Sequence, residues 1–288
     1  MNCCRPNPAC INFCRLNGKL ISGKGVIRNP QNGWEYEVLR ILAQGGMSTT
    51  YLVYDRQNCK LAVLKAINAE LALRSKAREM FEREARILKS LEHPAIPKYY
   101  DFFDTRERYF LVMEMVHGKN LDQIVSPVSP TQAIEWLLQT SSILDYLHKR
   151  NPPLIHRDIK PGNLILRYRN CQITLIDFGA VKEATTPPGT RIATPGYGAP
   201  EQQSGKPCTQ SDFYSLGMTL IYLLTRRSPS QFHVASKYKF AGLEDAGIPK
   251  ALVSLIATLT AFLPEDRPQS VAEVTNLLRE TFEQVKVY

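Results

Sequence analysis

The sequence predicts an α+β chain of two lobes, a β-rich lobe with one helix followed by a mainly helical lobe. Two observations carry this. Between residues 34 and 116, strand-length apolar runs and alternations recur with polar turns between them, and a single stretch has helical spacing. After Gly118 the balance inverts, with long amphipathic patterns and only short β-like runs. At 288 residues, 44% hydrophobic and 22% charged, the chain can fold around a large core in one or two domains.

Residues 1–33 hold four cysteines and three prolines (Pro6, Pro8, Pro30) with little periodicity, and read as a Cys-rich N-terminal segment and linker. From Trp34 the pattern changes: residues 35–42, 50–55 and 60–67 form an antiparallel meander. Residues 76–91 (KAREMFEREARILKSL) repeat apolar residues at helical spacing and are closed by His93-Pro94. YYDFF and RYFLVMEMV then return to strand, ending at Val116. In the second lobe, residues 117–288, a Ser-Pro signal at Pro130 opens an amphipathic helix that runs to His148. NLILR and CQITLID are β-like within 163–177, and 210–226, 250–263 and 270–285 are further helices.

The formal net charge of +9 suggests attraction to anions, but the basic residues are scattered, so no nucleic-acid partner is expected. No run approaches the ~18 to 20 apolar residues that span a bilayer. The N-terminal apolar pieces are broken by Pro, Asn and Arg, unlike a secretory signal, so a cytoplasmic protein is the default expectation. Cys59, Cys171 and Cys208, far apart, read as free thiols of a reducing compartment.

Chemistry concentrates in Ile155-His-Arg-Asp-Ile-Lys-Pro-Gly-Asn163. Asp158 and Asn163 lie five apart with Lys160 between them, and Asp177-Phe178-Gly179 follows fourteen residues after Asn163, ending another apolar run. Oxygen ligands and bases on loops that leave short strands suit phosphate and a hard cation, since Mg²⁺ takes carboxylate, amide and phosphate oxygens.

On these motifs, with Ala199-Pro200-Glu201 downstream, the chain resembles the eukaryotic-like serine/threonine protein kinases of bacteria, of the cyanobacterial type, over about residues 34–284. The resemblance implies the bilobal protein-kinase fold, ATP and Mg²⁺ (or Mn²⁺) as cofactors, and protein substrates. Asp158 would orient the acceptor hydroxyl and take its proton, with Lys160 steadying the transferring group and Asn163 and Asp177 holding the metal. Lys65 in Leu61-Ala62-Val63-Leu64-Lys65, paired with Glu84 of the 76–91 helix, would grip the α- and β-phosphates. Met113-Glu114-Met115-Val116 would be gatekeeper and hinge, and Ala62 and Ile165 would complete the nucleotide site. Asp212 and the Glu201–Arg267 ion pair would be structural, and His156 would pack and hydrogen-bond beneath the site beside a spine of Leu88, Tyr99 and Phe178. Thr194 would bridge Asp158 and Lys160, and with Lys160 it points to serine/threonine specificity. Thr185, Thr186, Thr190 and Thr194 are candidate phosphosites of the activation segment, with Arg157 as a partner for the phosphate.

The resemblance is least regular at the phosphate loop, where the family's G-x-G-x-x-G-x-V is matched by Ala43, Gln44, Gly45, Gly46, Met47, Ser48 and, at its last position, Thr50, with Leu42 just before it as a further nucleotide contact. A pseudokinase or nucleotide-binding scaffold is therefore the alternative to an active enzyme. A small-molecule kinase is a third reading, opposed by the APE motif and Thr194. At the N-terminus, Cys3, Cys4, Cys10 and Cys14 leave three readings open: a Zn²⁺ site with awkward spacing, a redox-responsive or disulfide-forming head, and a disordered tail. A transient homodimer for autophosphorylation is a further expectation of the resemblance.

Overall fold

A computed structural model of the chain describes residues 25–105, 108–184, 194–234 and 239–286. Cys3, Cys4, Cys10, Cys14, Thr185, Thr186 and Thr190 lie outside them, so the readings placed on those side chains concern residues beyond the described ones. The chain divides into two compact units. One holds the described residues up to Glu92 with Pro97–Val116, and the other holds His93–Ile96 with the described residues from His117 onward.

The first unit is a six-stranded antiparallel sheet in the order β1-β2-β3-β4-β6-β5. Its strands are β1 (Val26–Arg28), β2 (Glu35–Gln44), β3 (Ser48–Asp55), β4 (Lys60–Ile67), β5 (Tyr99–Thr105) and β6 (Arg108–Glu114). The short helix α1 (Ala69–Ala72) and the helix α2 (Ser75–Ser90) lie between β4 and β5. The period-two alternation buries Tyr36, Val38, Tyr51, Val53, Ala62, Leu64, Ala66, Phe103, Phe110 and Val112 in one cluster, with Ile27 joining from β1. Residues of the other parity, among them Phe102, Lys65 and Leu111, face the opposite way, and Phe81 of α2 lies 6.1 Å from the Phe102 ring.

The expected linker is corrected here, because residues 26–28 inside it form an edge strand. Val26–Arg28 pairs with Glu35–Glu37, and the adjoining Asn29, 1% exposed, donates from Nδ2 to Asp101 on β5 at 2.9 Å. Tyr36 donates from its hydroxyl to the same Asp101 oxygen at 2.8 Å, so the segment before Trp34 is fastened into the lobe.

In the second unit β7 (Gly118–Asn120) is followed by α3 (Pro130–His148), whose Ser129 caps it by accepting from Gln132 N–H at 3.2 Å. Next come β8 (Leu154–Ile155), β9 (Leu164–Arg167), β10 (Ile173–Leu175), β11 (Lys182–Glu183), α4 (Pro200–Gln203) and α5 (Thr209–Thr225). The chain continues through β12 (His233–Val234), β13 (Lys239–Phe240), α6 (Lys250–Leu259) and α7 (Val271–Lys286). Helix α3 packs against α5 and α7, and α6 also packs against both. Helix α5 is buried nearly all round, with Ser211, Asp212, Ser215 and Thr219 buried among its apolar residues. Gly217 lets the end of α6 approach α5: a Cβ there would stand 2.6 Å from Thr260 Cγ2. The helix expected over 250–263 stops at Leu259, because Pro264 holds Leu263 extended (ψ 135°) and a short 3₁₀ turn follows.

Candidate active site

In the second unit the β9–β10 hairpin brings Asn163 and Asp177 to one end. Leu164 pairs with Leu175, and Ile176 N–H donates to the Asn163 carbonyl at 2.9 Å. The loop before β9 converges on Asp158. Asn163 Nδ2 donates to both Asp158 O and Asp158 Oδ2 at 2.8 Å, Lys160 Nζ stands 2.8 Å from Oδ2, and Thr194 Oγ1 donates to Oδ1 at 2.5 Å. Lys160 also donates to Thr194 Oγ1 at 3.0 Å, closing a ring of Asp158, Lys160 and Thr194. A carboxylate held by three side chains is fixed in direction before any substrate arrives. The Thr194 hydroxyl is committed to that ring, and a phosphate on it would set a second anion against Asp158.

The backbone beneath is strained and propped. Arg157 (φ 66°) and Asp177 (φ 64°) are non-glycine residues in the left-handed region, a conformation that persists where surroundings enforce it. For Arg157 the enforcement is visible. Its N–H and that of His156 donate to Asp212 at 2.8 and 2.9 Å, its carbonyl accepts from Gln202 Nε2 at 2.9 Å, and its Nε donates to Ala180 O at 2.5 Å. Asp212, fully buried on α5, also meets His148 Nε2 at 2.9 Å. Gln202 was not among the residues read from the sequence; a glutamine on one turn of helix offers no pattern to find it by.

Glu201 and Arg267 form the buried pair, at 2.7 and 3.0 Å, with Ser211 Oγ donating to Glu201 at 2.6 Å. Burial alone would raise the Glu201 carboxyl, but the Arg267 and Ser211 hydrogen bonds outweigh it and hold the group below the ordinary value. His156 differs from expectation. Its ring packs edge-on against Phe178 at 5.3 Å, yet neither ring nitrogen has a hydrogen-bond partner among the described residues. Burial pushes its imidazole below the ordinary value against the pull of Asp212, Asp158 and Asp177, so the ring is a neutral packing group.

In the first unit Lys65 on β4 lies 2.7 Å from Glu84 on α2, with the side chains 14% and 6% exposed. Lys65 pairs with Thr50 on one side and Leu111 on the other, and Ala43 lies across from Thr50, so these four share a sheet face. Ala62 is a correction. Three residues from Lys65 it has the opposite parity, and it is fully buried in the core cluster. The residue on the Lys65 face is Val63, paired with Met113, and the alternation of β4 contains that signal. Glu114 ends β6 with its N–H donating to Lys98 O at 2.8 Å and its carboxylate accepting from Lys98 N–H at 3.2 Å. Met115 is half-buried and Val116 buried, both just past β6.

The phosphate-loop residues sit at the β2–β3 hairpin. Leu42, Ala43 and Gln44 end β2, with Leu42 at a register shift, Gly45, Gly46 and Met47 form the exposed tip, and Ser48 opens β3. Positions 43 and 48, where glycine was expected, are thus ordinary strand positions that tolerate a side chain. Neither Gly45 nor Gly46 has a positive φ, and a Cβ on Gly46 would meet nothing within 4 Å, so the tip is bare backbone open to approach. Ile165 on β9 lies against Gly118, where a Cβ would stand 2.5 Å from Ile165 Cγ2.

The donor set fits a hard divalent cation. Asn163 spends its amide N–H groups on Asp158, which leaves its Oδ1 turned the other way as a neutral oxygen ligand, and Asp177 supplies an exposed carboxylate at the same hairpin end. The described residues contain no group of three or more His, Cys, Asp or Glu side chains able to hold a metal. A cation kept by one or two protein oxygens, waters and phosphates needs none.

Comparison with known proteins agrees with this geometry. The protein kinase domain family matches residues 36–284. Serine/threonine-protein kinase C of Synechocystis is 34% identical over 272 residues, covering 87% of this chain and 50% of that one. Serine/threonine-protein kinase D of the same organism is 39% identical over 214 residues, covering 68% of this chain and 42% of that protein. PrkC of Bacillus subtilis is 30% identical over 285 residues, covering 93% and 42%. The chain thus spans about half the length of the curated relatives it matches. Among solved structures, the Mycobacterium tuberculosis PknI kinase domain superposes with a TM-score of 0.69 at 25% identity, over 85% of this chain and 96% of that one. The chain belongs to the protein kinase family, with the eukaryotic-like serine/threonine kinases of bacteria.

Proposed function

We propose that this protein transfers the γ-phosphoryl group of ATP to serine or threonine hydroxyls of protein substrates. The observation that carries the reading is the ring of Asp158, Lys160 and Thr194 with Asn163 behind it. An inactive relative has no need to keep a carboxylate so aligned. In this reading Asp158 orients the acceptor hydroxyl and takes its proton as the oxygen attacks the γ-phosphorus. The bond to the β,γ-bridging oxygen breaks and ADP leaves. Lys160 offsets charge on the transferring group, and Lys65, held by Glu84, pairs the α- and β-phosphates. Bound Mg²⁺, held by Asn163 and Asp177, would neutralise phosphate charge during transfer. Val63 and Met113, side by side on the Lys65 face, are the apolar lining offered to adenine in place of Ala62.

Protein rather than small-molecule acceptors are supported by the residues after Thr194, where α4 is pinned to the catalytic loop through Gln202. The Synechocystis relatives are serine/threonine-protein kinases. No helix among the described residues is long and apolar enough to cross a membrane. Action in the cytoplasm, transient pairing of copies and autophosphorylation at Thr185, Thr186 or Thr190 complete the reading.

The test is incubation with Mg·ATP and a general protein acceptor such as casein, followed by acid hydrolysis. Phosphoserine and phosphothreonine are expected. Nucleotide binding without transfer would favour the scaffold reading, and phosphate only on small alcohols the small-molecule kinase.

A further inference from the structure

The tip of the β2–β3 hairpin is fastened by one side chain outside it. Asn68, the first residue after β4, donates from Nδ2 to the carbonyls of both Gly45 and Gly46 at 3.0 Å, and its backbone N–H donates to Met47 O at 3.0 Å. Thr49 Oγ1 donates to Asn68 Oδ1 at 3.1 Å, which fixes which end of the amide faces the loop. Three consecutive tip carbonyls therefore point at one residue.

Peptide planarity gives this a consequence. The only cis peptide bond among the described residues is Asn151–Pro152, so the tip peptides are trans, and each N–H points opposite to the carbonyl of the same plane. With the carbonyls of Gly45, Gly46 and Met47 turned to Asn68, the N–H groups of Gly46, Met47 and Ser48 are turned away from it. Successive N–H groups on one side of a turn make an anion-binding concavity. The fourth tip N–H, on Gly45, is used internally, donating to Ser48 O at 2.9 Å. Asn68 is three residues beyond Lys65, so the strand that carries the phosphate-pairing cation leads directly into the latch of the phosphate loop.

We infer that Asn68 is a positioning residue for nucleotide phosphates, holding the tip with three N–H donors directed outward. This rests on the proposed function and deepens it. Where Ala43 and Ser48 replace flexible glycines, order comes from stiffer strand ends and from this clasp rather than from closure of a loose loop around the ligand.

The test is titration of the 288-residue chain and its Asn68→Ala, Asn68→Asp and Thr49→Val variants with Mg·ADP and with adenosine, beside thermal melts. Loss of the two side-chain hydrogen bonds is expected to weaken Mg·ADP on the order of tenfold in either Asn68 variant. Thr49→Val, which only frees the amide to turn, should weaken it about threefold. Adenosine, lacking phosphates, should bind all variants within about twofold of wild type, and a merely structural role would not separate the two ligands. Equal Mg·ADP affinity in wild type and folded Asn68 variants, or parallel loss of adenosine, would overturn the inference. If the Asn68 variants fail to fold, Thr49→Val decides, and unchanged Mg·ADP affinity there overturns it. Wild-type protein that binds no Mg·ADP would instead refute the proposed function.

Discussion

Replacing Thr194 by valine removes one hydroxyl and keeps the shape of the side chain. In the structure that hydroxyl donates to Asp158 Oδ1 at 2.5 Å and accepts from Lys160 at 3.0 Å. Asp158 Oδ2 would keep Asn163 and Lys160, each at 2.8 Å, so the carboxylate stays in place but can turn about the remaining contacts. A hydrogen bond to a charged group contributes about 1.5–3 kcal/mol, which as lost alignment corresponds to a fall in kcat of about 10- to 100-fold. The hydrogen-bond partners of the Thr194 side chain are the catalytic-loop residues Asp158 and Lys160, so the KM for ATP should stay within about twofold. Thr194→Ser restores the hydroxyl and should recover kcat to within about threefold of wild type. Steady-state transfer to casein at saturating and limiting ATP reads both constants. A valine variant with wild-type kcat would refute the reasoning, as would a serine variant as slow as the valine one.

Other perturbations separate structural from chemical roles. Glu201→Gln leaves Arg267 buried without its counter-charge and should cost about 3–5 kcal/mol, read as a melting temperature lower by on the order of 10 °C. Because the Glu201 carboxyl is held below its ordinary value, the stabilisation is present above about pH 4.5 and is lost as pH falls through the lowered value. The gap between wild type and variant should accordingly close in acid. His156→Phe removes two unpartnered nitrogens, so stability at pH 7 should be unchanged or raised. As burial lowers the imidazole, wild type pays for protonating it below about pH 6.5, and the variant should melt higher there. Ala62→Leu should overpack the core and cost about 1–3 kcal/mol, with nucleotide affinity following stability. Val63→Ala should weaken adenosine binding several-fold while melting close to wild type, and the opposite assignment would show in a swap of these phenotypes.

Much of the molecule was legible in the sequence because its signals are local. The alternation in residues 35–67 is the alternation of β2 to β4, and the spacing of Asp158, Asn163 and Asp177 is the spacing of a loop and a two-strand hairpin. The Lys65–Glu84 pair was expected as a pair because the resemblance couples a strand lysine to a helix glutamate, and the two side chains lie 2.7 Å apart. What escaped depends on partners distant in sequence. Val26–Arg28 is a strand only because β2 lies beside it, and three residues carry no period of their own. Ala62 was misplaced by matching a motif instead of counting parity from Lys65. Asn68 and Gln202 are single polar residues whose roles consist of hydrogen bonds to backbone 22 to 45 positions away. The hydrogen-bonding His156 was expected from resemblance, but its nitrogens, buried against Phe178, have no partner among the described residues.

The central claim is that Asp158, aligned by Thr194, Lys160 and Asn163, makes this chain a phosphoryl-transfer enzyme. One comparison addresses it most directly: Mg·ATP affinity and the rate of phosphate transfer to casein, measured on the same preparations of wild type and Asp158→Asn. The account predicts unchanged affinity, within about twofold, and transfer reduced by at least about a thousandfold in the variant. Equal transfer by the two proteins, or binding of Mg·ATP by wild type with no transfer, would contradict it.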